Sequence, residues 1–105
     1  MRMAVRIEFA GSGQGGHYQL NGILTFATAL EGLALVKPLL RDQPLLRLDL
    51  SGITRADSAG VALLIEWLNM ARRAGCVLRY TRVPESLQAM MRVGGVEGML
   101  PIDTD

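Results

Sequence analysis

A chain of 105 residues has room for one domain built around one hydrophobic core, so we interpret residues 1–105 as a single domain. Half of the residues are apolar and one fifth are charged, a composition that excludes a disordered chain. The formal net charge is only +1 and Lys and Arg form no long cluster, so we expect no nucleic-acid partner.

The cysteine content and the N-terminal sequence indicate the compartment. Cys76 is the only cysteine and has no partner for an internal disulfide bond, which suits a reducing environment. Arg2 and Arg6 interrupt the stretch that would have to be apolar in a signal peptide. No apolar run reaches the roughly 20 residues that span a bilayer. The sequence therefore predicts a cytoplasmic protein without direct membrane insertion, which reaches a membrane only through a partner.

The chain opens with a predicted hairpin. Residues 5–9 alternate apolar and polar side chains, and a second strand starts at His17 and ends near Gly22. The glycine-rich residues 11–16 between them match a dinucleotide-binding fingerprint in their letters. That fingerprint needs a helix directly after the glycines, whereas a strand follows here. We therefore predict a hairpin loop and no cofactor.

A first helix follows, and Thr28 with Glu31 fits a capping box at its start. Leu30, Leu33, Ala34 and Lys37 share one side of this helix. Pro38 should kink or end it, because proline lacks the backbone N–H and clashes with the preceding turn.

The second half of the chain contains the strongest patterns. Residues 45–50 form an alternating strand, residues 51–58 a loop, and residues 59–74 an amphipathic helix that ends at Gly75. A strand at residues 76–80 and a helix starting at Pro84 complete the order β-β-α-β-α-β-α. This alternation is typical of an α/β domain with parallel strands.

The turn into the long helix is the candidate site, because sites in open α/β sheets collect at this end. Either Asp57 or Ser58 is simply the helix N-cap, or the Ser58 hydroxyl is exposed for contact or modification. A catalytic serine would need an oriented base, and His17 is the only histidine. No Cys, His or Asp grouping has metal-ligand spacing. We therefore predict neither an enzyme nor a metal site.

Trp67 lies on a different face of the long helix from Leu64 and Leu68, with Leu63 and Met70 beside it. The apolar surface of this helix is therefore wider than one stripe. Trp and Met are enriched in the cores of protein interfaces, so burial within the domain and exposure to a partner remain equally open for Trp67.

The sequence resembles the STAS family, which includes the anti-sigma-factor antagonists. The resemblance is carried by Asp-Leu-Ser-Gly-Ile at residues 49–53 and Asp-Ser-Ala-Gly at residues 57–60. The runs Ala-Leu-Leu and Glu-Trp-Leu at residues 62–64 and 66–68, with residues 24–28, are closer to the MlaB branch of that family. The resemblance implies the STAS fold, a mixed four- to five-stranded sheet with helices packed on it.

The MlaB branch implies a regulatory subunit that binds and stabilises or activates the cytoplasmic ATPase of a phospholipid-transporting ABC complex, which maintains outer-membrane lipid asymmetry. We expect such a protein in the cytoplasm, held at the inner membrane through that partner. The predicted partner-binding residues are Thr54, Arg55, Asp57, Ser58, Ala59, Leu63 and Trp67.

The alternative is an anti-sigma-factor antagonist switched by phosphorylation of Ser58. Phosphorylation would add about −1.5 to −2 charge at the start of the helix. The antagonist pattern usually has a second Ser or Thr after the phosphorylated serine and an aliphatic residue before the aspartate. This chain has Ala59 and Ala56 at those positions, which argues against a phosphorylation switch.

Overall fold

The computed structural model describes residues 7–10 and 16–103. Strands and helices alternate along the chain, with short 3-10 turns at Phe26–Thr28 and Glu97–Met99. The elements are β1 Ile7–Ala10, β2 His17–Leu24, α1 Ala29–Asp42, β3 Leu45–Ala56, α2 Ser58–Ala74, β4 Val77–Thr81, α3 Glu85–Val93 and β5 Ile102–Asp103. Residues 5–6 of the predicted first strand and residues 11–15 of the predicted hairpin loop lie outside the described residues.

The five strands form one mixed sheet in which spatial order follows chain order. β1 runs antiparallel to β2, and β2, β3, β4 and β5 run parallel to one another. Each parallel step is made through a helix or a longer connection, as parallel neighbours require. The predicted α/β fold with a mixed sheet is therefore confirmed.

The hydrophobic core lies between one face of the sheet and the helices. Leu46, Leu48 and Leu50 alternate along β3 and are buried, whereas Arg47 and Ser51 on the other face are exposed. Burial of each leucine contributes roughly 1.5–3 kcal/mol to folding. This face of the sheet fixes where α2 lies and therefore where its first residue emerges.

The start of α1 differs from the prediction. The capping box belongs to the preceding 3-10 turn, in which Thr25 accepts a hydrogen bond from the N–H of Ala27 at 3.2 Å and Thr28 accepts one from the N–H of Thr25 at 3.1 Å. Thr28 precedes α1, but its side chain makes no cap bond with this helix in the described structure. The predicted capping box of Thr28 and Glu31 was wrong, because the Thr28 hydroxyl is hydrogen-bonded within the earlier turn.

Pro38 does not end α1, which continues to Asp42. The proline removes one helical N–H, but Val36 and Leu40 on either side of it are both buried in the core. Tertiary packing therefore carries the helix through the proline.

The segment predicted as a loop before α2 is mostly strand. β3 runs to Ala56 and pairs with β2 as far as the contact of Leu24 with Ala56. Two shifts of register accommodate the extra residues of β3 in this pairing. Only Asp57 separates strand from helix, so the candidate site is a tight strand-to-helix turn.

Candidate functional site

Asp57 is the N-cap of α2. Its Oδ1 accepts hydrogen bonds from the N–H groups of Ala59 at 2.9 Å and Gly60 at 3.1 Å. A carboxylate at this position satisfies two of the unpaired helix donors and favours the positive end of the helix dipole. Of the two capping alternatives, the structure selects Asp57, which leaves the exposed Ser58 hydroxyl without a capping role.

The same carboxylate joins the turn to the 3-10 turn that precedes α1. Its Oδ2 accepts a hydrogen bond from the N–H of Phe26 at 3.2 Å. The backbone N–H of Asp57 in turn donates to the carbonyl of Leu24 at 3.3 Å. The ends of β2 and β3, the 3-10 turn before α1 and the start of α2 are thereby held together, so the backbone of the residues presented here has a fixed position.

Gly60 allows α2 to approach the end of β2 closely. A Cβ atom at this position would lie 2.1 Å from the carbonyl oxygen of Leu24 and 3.1 Å from its Cγ. Only glycine fits without moving the helix away from the strand. The glycine of the Asp-Ser-Ala-Gly run therefore has a packing role.

The structure brings five of the predicted partner-binding residues together at this turn. Thr54, Arg55 and Ser58 are exposed, and Asp57 and Ala59 are half-buried. The Thr54 hydroxyl donates to the carbonyl of Gly22 at 3.2 Å, which fixes its side chain against β2. We call Thr54, Arg55, Ser58 and the adjacent Phe26 the turn surface.

Leu63 and Trp67 do not belong to any partner-binding surface. Leu63 is 4% exposed and Trp67 is 0% exposed, so both are core residues. The reason is the position of α2, which packs between α1 and α3 and over β3 and β4. Neighbours on three sides bury a wider part of the helix than one stripe, so the predicted interface role of these two residues was wrong.

At the turn surface and just after it, the sequence analysis missed two exposed apolar residues. Phe26 is 83% exposed on the turn surface, and Leu30 is 82% exposed one turn later on α1. The prediction grouped Leu30 with Leu33 and Ala34 on one side of the helix. Val36 and Leu40, however, are the residues of α1 that reach the core. Recognising Leu30 as exposed would have required knowing which side of α1 faces the sheet.

The single histidine lies far from Ser58. His17 opens β2, whereas Leu24 at the other end of that strand contacts Asp57. An extended strand of this length spans roughly 23 Å, so His17 cannot act on Ser58. Burial raises the pKa of the Cys76 thiol, which disfavours the reactive thiolate.

Other kinds of site can be described only for the structured part of the chain. Among residues 7–10 and 16–103, no group of three or more His, Cys, Asp or Glu side chains could hold a metal ion. None of the helices in the same residues is both long and apolar enough to cross a membrane.

Known proteins share this fold. Anti-sigma factor antagonist SpoIIAA in its unphosphorylated form matches with a TM-score of 0.69 at 10% identity, over 95% of this chain and 90% of that one. An anti-sigma factor antagonist from Mycobacterium paratuberculosis matches with a TM-score of 0.79 at 15% identity, over 100% of this chain and 92% of that one. At such identities the likeness establishes the fold alone. Among curated protein sequences, none is significantly similar.

A family model identifies the family to which the sequence belongs. The family model described as the Mlab-type STAS domain matches residues 7–101, which is nearly the whole chain. This match includes the strand, turn and helix that form the turn surface. The chain therefore belongs to the MlaB-type STAS domain family.

Proposed function

We propose that this protein is a non-catalytic regulatory subunit that binds the ATPase of a phospholipid-transporting ABC complex and stabilises or activates it. The proposal rests on membership of the MlaB-type STAS family and on the exposed turn surface. On this proposal the protein lies in the cytoplasm and is held at the inner membrane by the ATPase and its permease.

The observation that carries the proposal is the exposure of Phe26, whose backbone N–H is bonded to Asp57, the residue that precedes the exposed Ser58. An exposed large aromatic residue surrounded by polar side chains is typical of the centre of a protein interface. The hydrogen bonds of Asp57 to the Phe26 backbone and to the start of α2 hold the backbone at both residues in place before binding. Preorganisation of this kind reduces the entropy lost on association.

The details of the turn favour contact over phosphorylation. A phosphate on Ser58 would be stabilised by hydrogen bonds from unpaired N–H groups at the start of α2. Asp57 already accepts from Ala59 and Gly60, and its negative charge would repel a phosphate on the next residue. A phosphorylated anti-sigma-factor antagonist remains the second candidate, because Ser58 is exposed and therefore accessible to a kinase.

Copurification from cells tests the proposal directly. The tagged protein should bring down an ABC ATPase, and Phe26→Asp should abolish this by placing a charge in the apolar contact. Val93→Asp is the matched control, because Val93 is 91% exposed on α3 away from the turn surface. Recovery of a kinase-type anti-sigma factor in place of the ATPase would refute the transporter assignment and support the second candidate.

A further inference from the structure

A groove with a volume of about 890 Å³ lies between α1 and α2. Its apolar lining includes Leu30, Leu33, Ala34 and Met70. At 1.5 Å of rise per residue, the stretch of α1 from Leu30 to Arg41 is about 16 Å long. Volumes of this order and mainly apolar walls are typical of sites that bind small molecules.

Charge in the groove is concentrated at one end. Lys37, Arg41 and Arg73 all belong to the lining and lie toward the C-terminal ends of their helices. Glu66 is the acidic residue of the lining, and it pairs with Arg73 at 3.3 Å. Within the described part of the chain, no acidic side chain forms an ion pair with Lys37 or Arg41. Two cations are therefore available to a ligand.

The other end of the groove is apolar. Leu30 is largely exposed there, and Leu33 and Ala34 continue the same side of α1 towards Lys37. An apolar segment that leads into a pair of unpaired cations is complementary to a molecule with an apolar chain and one anionic head. A docked acidic helix would need cations spread along both rims to meet carboxylates on successive turns.

We propose that this groove binds a single-chain anionic amphiphile, a long-chain carboxylate or an alkyl phosphate. The chain lies along Leu30, Leu33 and Ala34, and the head is held by Lys37 and Arg41. The carboxylate and the alkyl phosphate share this chemistry, and their relative affinities distinguish them. The site is separate from the turn surface, so the inference does not depend on the proposed ATPase partner.

Calorimetric titration of the whole protein with decanoate and decyl phosphate, below micelle formation, tests the site. Both should bind with one molecule per chain, and the tighter of the two identifies the preferred head. Decanol and decyltrimethylammonium carry the same chain without the negative charge and should bind at least about tenfold more weakly. Equal affinity for decanol, or uptake of several molecules per chain, would overturn the proposal.

Variants locate the binding. Lys37→Glu combined with Arg41→Glu should weaken decanoate binding by about tenfold or more, because both side chains are exposed and the charges are reversed. Ala34→Trp should block the groove, since Ala34 is exposed and lines it. Arg72→Glu is the control, because Arg72 is an exposed α2 residue outside the lining. Melting temperatures check that each variant folds.

Two results would count against the amphiphile. An unchanged affinity in both groove variants would place binding elsewhere on the protein. Tighter binding of an acidic amphipathic helical peptide than of decanoate, lost in the same variants, would assign the groove to a protein partner.

Discussion

The Oδ2 atom of Asp57 accepts a hydrogen bond from the backbone N–H of Phe26 at 3.2 Å, across 31 positions of sequence. The other oxygen of the same carboxylate caps α2. One side chain thus sets the position of the Phe26 backbone relative to the start of α2, where the exposed Ser58 lies. The geometry of the turn surface therefore depends on a residue that contributes little surface of its own.

Replacing Asp57 with Ala should lower the free energy of unfolding by about 1–2 kcal/mol, because the cap of α2 and its hydrogen bond to the 3-10 turn before α1 are lost. Asp57→Asn should cost less, since its carbonyl oxygen still caps α2. The amide N–H₂ group would then face the N–H of Phe26, and that hydrogen bond would be lost. Urea unfolding measures both variants, and equal stability of Asp57→Ala and the parent protein would contradict the assignment.

Gly60→Ala should destabilise the protein by about 1–3 kcal/mol, because the new methyl group meets the carbonyl of Leu24 at 2.1 Å. Gly98→Ala is the matched control. In the described structure nothing lies within 4 Å of a Cβ atom built on Gly98, so its effect should stay within about 0.5 kcal/mol. Thermal unfolding of the two variants tests the comparison, and equal melting temperatures would contradict the packing role of Gly60.

The sequence predicted α2 well because a long amphipathic helix with a C-terminal glycine depends on local pattern. It did not predict the length of β3, because Ser51, Gly52 and Thr54 are residues typical of loops. That segment is extended through its pairing with β2, which is a contact distant in sequence. Element order is thus encoded locally, whereas strand ends are set by tertiary pairing.

The candidate site was partly predictable for the same reason. Asp57 and Ser58 were found because a capping residue before a helical pattern is a local signal. The burial of Trp67 depends on where α1 and α3 lie beside α2, and the exposure of Phe26 depends on the turn before α1. Neither can be derived from the periodicity of one helix.

Trp67 and Phe26 should therefore behave in opposite ways. Trp67→Ala should lower stability by about 3–5 kcal/mol, because it empties a fully buried site. Phe26→Ala should leave the unfolding midpoint almost unchanged, since the ring is largely exposed, but should weaken partner binding. Chemical denaturation and a binding assay on both variants separate the roles. A large loss of stability in Phe26→Ala would place its ring in the core.

Tyr80 gives a prediction for alkaline pH. Its hydroxyl donates to the carbonyl of Leu64 at 2.6 Å, and burial raises the pKa of this phenol well above its ordinary value of about 10. The folded state therefore keeps the proton while the unfolded state releases it. The resulting stability is complete below about pH 10 and is lost as the pH rises above that value.

Tyr80→Phe should be less stable than the parent protein by about 0.5–1.5 kcal/mol near neutral pH, because the hydrogen bond is lost. The difference should shrink above about pH 10, because the unfolded parent chain then releases the phenol proton and the parent protein loses stability. The variant has no phenol at this position and does not undergo this loss. Cys76 is present in both proteins, so the effect of its raised pKa on stability is the same in each and cancels from the difference. Denaturant titrations at neutral and alkaline pH measure the two differences, and a constant difference would contradict the buried state of Tyr80.

Ser58→Glu tests whether the turn surface is recognised through its hydroxyl. The side chain is exposed at the first residue of α2, so the variant should fold with a stability close to that of the parent protein. A carboxylate beside Asp57 would have to be desolvated against the partner, and we expect affinity for the ATPase to fall by about tenfold or more. Ser86→Glu is the matched control, because Ser86 is an exposed serine in the first turn of α3. Unchanged affinity in Ser58→Glu, or the same loss in Ser86→Glu, would show that the Ser58 hydroxyl is not part of the recognised surface.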